Sequence, residues 1–375
     1  MDFKKIKTAV QRITKSKTSS LKWSFVTLGI TFGIMGGAVL TVFTVDPFYR
    51  YRMPFFYDTV YYEIYATAPA LLKSHDYELF MLGTSMARNF FLEDIKKTFG
   101  VPAIKFAASG GTIGDLRKFI DIAVEAKGKK LKHVVLSLDT YPFNKPFAHW
   151  EDFDYLYRKD YSQEYRYLFD RRTYSSIYFL FKRKTSPKRQ RPYMADPNRM
   201  FATEYPGKPY GLREVMKDVI HCQAIHHILT VYDPAAHKKN LYERLLPVID
   251  SNPEIKFTVY LPPYHIYAFC LNEHFKEIEP LYVQRSAIMR ELLKRPNVTL
   301  HDFQSSTKYV LNHDYFSDVQ HFSNVAAKEV LKDLVAETHR LKTEKEIERN
   351  EMALRQLVKE KMADYYAHQK QFKRK

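Results

Sequence analysis

Short apolar runs alternate with longer amphipathic segments along the chain between residues 77 and 342. Runs that are apolar on both faces and end in turn residues predict buried strands of a parallel sheet. The segments between them repeat apolar residues at the spacing of one helix face. Strands alternating with helices are typical of an α/β fold with a mainly parallel sheet. The predicted strands cover residues 79–82, 103–107, 133–139, 256–263 and 298–303, and the predicted helices cover residues 92–99, 113–126, 212–229, 278–294 and 325–341.

The first 45 residues follow a different pattern. Residues 1–22 carry seven Lys and Arg against one acid, Asp2, and residues 23–45 then contain no charged side chain. An uncharged stretch of that length can cross the ~30 Å hydrocarbon core of a bilayer as a helix. No small-residue cleavage site of a signal peptide follows it. The sequence therefore predicts an uncleaved signal anchor, a single-pass membrane segment with its N terminus in the cytoplasm and the main domain outside.

Composition divides the rest of the chain into further segments. Residues 141–215 are predicted to be an insertion, because nineteen Phe, Tyr and Trp with interleaved Lys and Arg lie between Tyr141 and Tyr210. Such an insertion is either a cap with its own aromatic core or a surface for sugar rings, an anionic polymer or a membrane. The charged C-terminal segment predicts a protruding helical arm, open to a partner, an anionic surface or solvent. The predicted boundaries are 1–22 for the basic tail, 23–45 for the membrane helix, 46–76 for an aromatic and basic juxtamembrane segment, 77–342 for the main domain and 343–375 for the arm.

The net charge of +17 favours contact with anionic surfaces. The chain has no nucleic-acid-binding motif, so we predict no nucleic-acid partner. The two cysteines, Cys222 and Cys270, are predicted to be free, partly buried thiols. His221, His226 and His227 lie on one predicted helix, but their spacings of five and six do not stack ligands on one face. The sequence therefore predicts neither a metal site nor a cofactor.

Candidate chemistry begins where the first predicted strand ends, at Gly83-Thr84-Ser85. Open α/β sheets bind their ligands at the carboxyl ends of the strands. A serine at this point has an exposed hydroxyl, and the free N–H groups of the following helix can stabilise an oxyanion. The plainer interpretation is a serine that caps the helix.

A second polar group, Asp318-Val319-Gln320-His321, precedes the last predicted helix. One turn can hold both polar ends of this group, so that Asp318 accepts the Nδ1–H of His321 while Nε2 faces Ser85. The alternative is that Asp318 caps a helix and His321 lies on the surface. His265 follows the fourth predicted strand and is a competing candidate base.

These motifs resemble the conserved blocks of one enzyme superfamily. Gly83-Thr84-Ser85 resembles the nucleophile block of the SGNH (GDSL-type) hydrolases, and Asp318-x-x-His321 resembles their acid–base block. Ser109-Gly110-Gly111, after the second predicted strand, is similar to their glycine block. The order fits over about residues 75–340. The resemblance implies a three-layer α/β/α fold of the SGNH type, with Ser85, His321 and Asp318 as the catalytic triad.

The resemblance also implies an oxyanion hole. Its donors are the backbone N–H groups of Ser85 and Gly111, with Gly110 beside them. The superfamily usually adds an asparagine from a third block, but here Asp139 ends the third predicted strand and Asn144 follows five residues later. A carboxylate repels an oxyanion unless it is protonated or turned away. The third donor is therefore open between Asp139, Asn144 and none.

A membrane-anchored domain of this type resembles the extracytoplasmic proteins of cell-envelope acylation systems, including alginate acetylation and teichoic-acid D-alanylation. The resemblance implies a serine esterase or O-acyltransferase that acts on an acylated envelope polysaccharide beside a multi-pass membrane-bound O-acyltransferase. Two alternatives are open. One is a binding or assembly partner with a vestigial triad, favoured by the missing asparagine. The other is a carboxylesterase that acts on lipids, favoured by the juxtamembrane aromatic residues.

Overall fold

A computed structural model describes residues 3–185, 194–202, 207–225 and 232–373. The predicted positions of His226 and His227, and the basic group of residues 188–191, lie outside these residues. The helices are α1 (Phe3–Val45), α2 (Ile64–Ser74), α3 (Leu92–Phe99), α4 (Ile113–Lys127), α5 (Asp154–Tyr157), α6 (Glu164–Phe169), α7 (Arg171–Thr185), α8 (Leu212–Ala224), α9 (Pro234–Lys238), α10 (Leu246–Asp250), α11 (Ile266–His274), α12 (Ile278–Leu293), α13 (Thr307–Val310), α14 (Asn324–Val335) and α15 (Glu344–Lys373). The strands are β1 (Leu79–Gly83), β2 (Ala103–Ala107), β3 (His133–Ser137), β4 (Lys256–Leu261), β5 (Val298–Asp302) and β6 (Arg340–Leu341).

The chain forms two compact units. The N-terminal unit comprises Met1–Pro54 and Arg158–Gln190, and the main unit comprises Phe55–Tyr157 and Arg191–Lys375. The predicted insertion, residues 141–215, is therefore divided between the two units, and its middle part shares a unit with α1.

The main unit contains a six-stranded sheet with the order β2-β1-β3-β4-β5-β6. The first five strands are parallel, and β6 pairs antiparallel with β5. Every residue of β1 and β2 is buried. Since successive side chains point to opposite faces, both faces are covered at these strands. The prediction of an α/β fold with a mainly parallel sheet is confirmed.

The carboxyl ends of the central strands meet closely at one edge of the sheet. Gly83, the last residue of β1, is in register with Ala107 of β2 and Ser137 of β3. A Cβ atom added to Gly83 would lie 2.6 Å from the Cβ of Ser137. Glycine is therefore required at this position by close packing, and it lets the chain turn from β1 into the segment that carries Ser85.

The helix predicted over residues 325–341 is wrong in its last turns. The helix α14 ends at Val335, and the chain then reverses into the short strand β6. Glu337 and His339 hold the left-handed conformation, with φ of 55° and 37°. The backbone oxygen of His339 accepts a hydrogen bond from Asp302 N of β5. Pairing with the edge of the sheet outweighs the local helix preference here.

The charged C-terminal segment also differs from the prediction of a protruding arm. The helix α15 packs against α8, α11 and α12. Ile347, Leu354, Val358 and Tyr365 are buried at spacings of seven, four and seven, which place them on one helix face. This sparse apolar stripe is sufficient to dock the helix, although charged residues dominate its composition.

The N-terminal unit contains the only candidate membrane helix found in the described part of the chain. Residues Ser20–Val45 of α1 form an apolar stretch of 26 residues, and an 18-residue window within it has a mean hydropathy of 1.9 and is 6% buried. The stretch is long and apolar enough to be a membrane span or a signal sequence.

The two cysteines, Cys222 and Cys270, are free and buried, as predicted. Burial raises the pKa of each thiol to about 12. They are therefore poor nucleophiles at neutral pH.

Candidate active site

The turn after β1 presents Ser85 at the carboxyl edge of the sheet. Ser85 begins a short 3₁₀ helix, Ser85–Ala87, whose N-cap is Thr84. The Thr84 hydroxyl accepts a hydrogen bond from Met86 N and donates one to Asp139 Oδ2 at 2.8 Å. The helix cap is therefore Thr84 and not Ser85. The Ser85 hydroxyl is left to face His321.

Ser85, His321 and Asp318 form a connected chain of hydrogen bonds. His321 Nε2 lies 2.8 Å from Ser85 Oγ, and His321 Nδ1 lies 2.9 Å from Asp318 Oδ2. Asp318 Oδ1 also accepts hydrogen bonds from the backbone N–H groups of Gln320 and His321. The one turn that separates acid and base therefore places His321 between Ser85 and Asp318. The structure thus brings together the three side chains that the sequence analysis named as a candidate triad.

The loop that carries Asp318 and His321 is held by the main unit on two sides. Val319 N donates to Asp218 Oδ2 of α8 at 3.1 Å, and Val319 O accepts from His265 N at 3.0 Å. Burial raises the pKa of Asp318, but hydrogen bonds and the charge of His321 outweigh this effect, so the pKa lies below its ordinary value. Asp318 is therefore ionised at neutral pH and can stabilise an imidazolium.

Of the two glycines predicted to contribute to an oxyanion hole, Gly110 lies at the site. It lines the same cavity as Ser85 and has a φ of +64°, which favours glycine. The N–H of Gly111 donates to Ala108 O at 2.9 Å and is committed to that turn. Gly110 is therefore the glycine of this pair that lines the Ser85 cavity.

Asp139 lies at the site and Asn144 does not. Asp139 lines the Ser85 cavity and is 5% exposed. Burial raises its pKa to about 6, although a hydrogen bond from Thr84 opposes the shift. Asn144 instead connects loops, since it bonds Thr140 O, Gln284 and Asp233 N. The carboxyl of Asp139 is protonated below about pH 6 and can then donate a hydrogen bond.

The cavity at Ser85 has a volume of about 230 Å³. Tyr141, Tyr264 and Gln320 complete its wall. Tyr264 follows β4 at the same sheet edge as Ser85. The sequence pattern did not predict Tyr141 or Gln320 as site residues, although Gln320 lies between the two residues of the acid–base motif.

A second cavity has a volume of about 310 Å³. Ser109 lines the second cavity and Gly110 lines the first, so the two flank one short segment. Arg88, three residues after Ser85, also lines it, and the buried atoms Arg88 Nε and Ser109 Oγ have no hydrogen-bond partner within the described residues. The remaining lining residues are Tyr61, Tyr62, Glu63, Ile64, Tyr65, Ala107, Met194, Arg199, Phe201 and Ala202.

The competing candidate base, His265, has a different environment. Its Nε2 lies 2.7 Å from His313 Nδ1, and its Nδ1 accepts a hydrogen bond from Tyr267 N. Its side chain is fully buried. Both ring nitrogens are therefore engaged away from Ser85. Within the residues that the structure describes, no group of three or more His, Cys, Asp and Glu could hold a metal ion.

Comparison with known proteins finds a distant structural match and does not identify a family. No family model matches the sequence, and no curated protein matches it. A solved structure from Streptococcus pneumonia, of a protein whose description names platelet activating factor, matches with a TM-score of 0.36 and 11% sequence identity. The match covers 73% of this chain and 90% of that chain. A likeness of this size carries no conclusion about activity.

Proposed function

We propose that the chain is a membrane-anchored, extracytoplasmic serine esterase or O-acyltransferase that acts on an acylated cell-envelope polysaccharide. The observation that carries the proposal is the hydrogen-bonded chain from Ser85 Oγ through His321 to Asp318. A serine hydroxyl on an imidazole that is oriented by a carboxylate is the arrangement that activates serine for acyl transfer. The apolar helix α1 supports the membrane anchor.

The first half-reaction forms an acyl-enzyme. His321 Nε2 accepts the proton of Ser85 as Oγ attacks the ester carbonyl, and the carbonyl oxygen becomes an oxyanion. Asp318 holds the Nδ1–H and stabilises the imidazolium. When the tetrahedral intermediate collapses, the C–O bond to the leaving alcohol breaks, and His321 returns the proton to the alkoxide oxygen. Ser85 then carries the acyl group.

In the second half-reaction His321 deprotonates the acceptor, which is water in an esterase and a sugar hydroxyl in a transferase. The acceptor oxygen attacks the acyl-enzyme, and Ser85 regains its proton from His321. The same residues serve both outcomes, so access of the acceptor to the cavity decides between them.

The oxyanion needs donors beside Ser85 Oγ. Ser85 and Gly110 both line the cavity, and their backbone N–H groups are the first two donors that we propose. Neutral Asp139 supplies the third donor, in place of the asparagine that such sites usually have. Since each donor in an oxyanion hole is worth about 10²–10³ in kcat, its protonation state matters.

The second cavity supports a saccharide substrate. Tyr61 and Tyr65 offer aromatic surface on which a sugar ring packs, and Arg88 and Ser109 offer polar groups that hydroxyls can bond. Glu63 adds an acceptor. A chain of sugars with its ester at Ser85 would place a neighbouring ring in this cavity.

The test is labelling of the full chain in detergent micelles with a serine-reactive fluorophosphonate, read by intact mass. We expect one adduct on the parent protein, none on Ser85→Ala, and a much slower adduct on His321→Ala. Ser175→Ala is the matched control, because Ser175 is exposed on α7. No adduct on the folded parent chain would reject the proposed activity.

The next experiment measures which acyl donors and acceptors the parent chain uses. We expect release of acetate from acetylated oligosaccharides, or acyl transfer to an added oligosaccharide, to exceed cleavage of lipid esters. The reverse order would favour the lipid carboxylesterase. Adduct formation without turnover of either class would favour a partner of a membrane-bound O-acyltransferase that completes the site.

A further inference from the structure

A second surface of functional interest lies in the N-terminal unit, where residues 158–185 pack with α1. These residues include eight Lys and Arg against three Asp and Glu. They comprise α6 and α7 with the loop before them. We call residues 158–185 the interfacial segment.

The C-terminal end of α1 is closed by Arg52. The Arg52 guanidinium donates to Phe43 O at 2.8 Å and to Thr44 O at 3.1 Å, and it lies over the Phe43 ring. These bonds satisfy carbonyl groups that the last turn of a helix leaves unpaired, and the cation complements the helix dipole. The helix therefore ends at a fixed point, and the chain turns back there.

Asp46 fixes the chain that follows. Its carboxylate accepts the backbone N–H groups of Arg50, Tyr51 and Arg52 at 2.8–2.9 Å. It also accepts the hydroxyl of Tyr167, from α6, at 2.6 Å. The end of the apolar helix and α6 are thus joined through one buried carboxylate.

Arg50 makes a second set of connections to the interfacial segment. Its guanidinium donates to Arg158 O at 2.9 Å, to Asp160 O at 3.1 Å and to Glu164 Oε2 at 3.2 Å. It also lies 5.2 Å from the ring centre of Tyr161. Two independent anchors therefore set the depth of the segment relative to the end of α1.

The outward faces of the segment are aromatic and basic. On α7 the buried face consists of Thr173, Ser176, Ile177 and Leu180. The opposite face exposes Tyr178 and Phe181, which are 60% and 55% exposed. The other exposed aromatic and basic side chains are Arg158, Lys159, Tyr161, Tyr165, Phe169, Arg171 and Arg172, and the remaining exposed residues are Asp160, Ser162 and Ser175. Aromatic and basic side chains together are the composition of protein surfaces at a bilayer interface.

We propose that the interfacial segment rests in the headgroup layer of a bilayer that contains anionic phospholipid. Its exposed aromatic rings enter the boundary between headgroups and acyl chains, and its basic residues face lipid phosphates. The proposal rests on the part of the proposed function that places α1 across the membrane. It adds a second, interfacial attachment that fixes the N-terminal unit against the membrane surface.

The test uses the full chain in vesicles of phosphatidylcholine with phosphatidylglycerol. Nitroxide labels on Tyr178→Cys and Phe181→Cys report depth through their relative accessibility to oxygen and to a water-soluble nickel chelate. Phe32→Cys, which is exposed on the apolar stretch, reports the span, and Val325→Cys, which is exposed on α14, reports water. The native cysteines are buried and serve as the unlabelled background.

In vesicles that contain phosphatidylglycerol, we expect the labels at positions 178 and 181 to be less accessible to nickel than the label at position 325. In phosphatidylcholine alone, we expect this difference in nickel accessibility to be smaller. Equal nickel accessibility at 178, 181 and 325, with position 32 in lipid, would overturn the interfacial attachment and leave the span intact. Aqueous labels at all four positions would overturn the attachment together with the span. Loss of accessibility that does not depend on lipid composition would overturn the role of anionic lipid.

Discussion

The hydroxyl of Thr84 donates a 2.8 Å hydrogen bond to Asp139 Oδ2. This bond joins the cap of the nucleophile turn to the end of the neighbouring strand. It also fixes the orientation of a carboxyl group whose pKa burial raises to about 6. The ionisation of Asp139 is therefore expected to control the oxyanion site directly.

Asp139→Asn is expected to raise esterase activity above pH 6. Asn is isosteric with Asp and donates from its amide at every pH, whereas Asp139 donates only when it is protonated. The ratio of variant to parent kcat/KM for 4-nitrophenyl acetate should rise with pH through about 6. At pH 8 it should reach roughly tenfold or more, given the usual effect of one oxyanion donor.

The control for this experiment is Asp152→Asn, since Asp152 is exposed. Its ratio to the parent protein should stay constant with pH. A constant or falling ratio for Asp139→Asn would show that Asp139 is not an oxyanion donor.

The sequence predicted best those elements that are buried on all sides along their whole length. The buried strands β1 and β2 are apolar on both faces, so their runs stand out. Asp318 and His321 are neighbours in one turn, so their contact follows from local spacing. The position of Ser85 at the carboxyl edge of the sheet also follows from the sequence, because it comes directly after the end of β1.

Contacts between distant segments could not be predicted in this way. The second cavity combines Tyr61, Arg88 and Phe201, which no single pattern links. The commitment of the Gly111 N–H to Ala108 is a detail of one turn. The docking of α15 depends on four apolar residues among many charges, and its partners lie on helices far away in the sequence.

Asp318→Asn is expected to lower kcat by about 10³–10⁴-fold while the fold is retained. The amide cannot hold the Nδ1–H tautomer of His321 or stabilise the imidazolium. Fluorophosphonate labelling of Ser85 should slow in parallel. The measurement is the labelling rate against that of Asp314→Asn, an exposed aspartate near the same loop. Equal rates in the two variants would exclude Asp318 from the reaction.

A buried ion pair is expected to dominate the stability of the β5 edge. Arg285 of α12 and Asp302 of β5 are both fully buried, with Arg285 Nη2 3.1 Å from Asp302 Oδ1. Gln304 accepts from Arg285 Nε at 2.7 Å. Asp302→Ala leaves a buried guanidinium without its anion and should cost about 3–5 kcal/mol.

Thermal unfolding of three proteins tests this pair. The melting temperature should fall strongly in Asp302→Ala and recover in the double variant Arg285→Met, Asp302→Leu, which replaces the pair with apolar groups. A small effect of Asp302→Ala would mean that water reaches Arg285.

Lys105 provides the last prediction, because it is a fully buried lysine in β2. Its ammonium donates to Arg88 O at 2.9 Å, and Arg88 N in turn donates to Ser85 O. Burial lowers the pKa of Lys105 from 10.5 to about 7. Between these values the unfolded chain binds more protons than the folded chain, so stability rises with pH. The free energy of unfolding rises by roughly 5 kcal/mol over this pH interval.

Lys105→Met should therefore be more stable than the parent at pH 7 and lack this slope, whereas Lys97→Met, at an exposed position, should retain it. Melting temperatures between pH 7 and pH 9 measure the slope, and the same slope in Lys105→Met would show that Lys105 is charged in the folded protein.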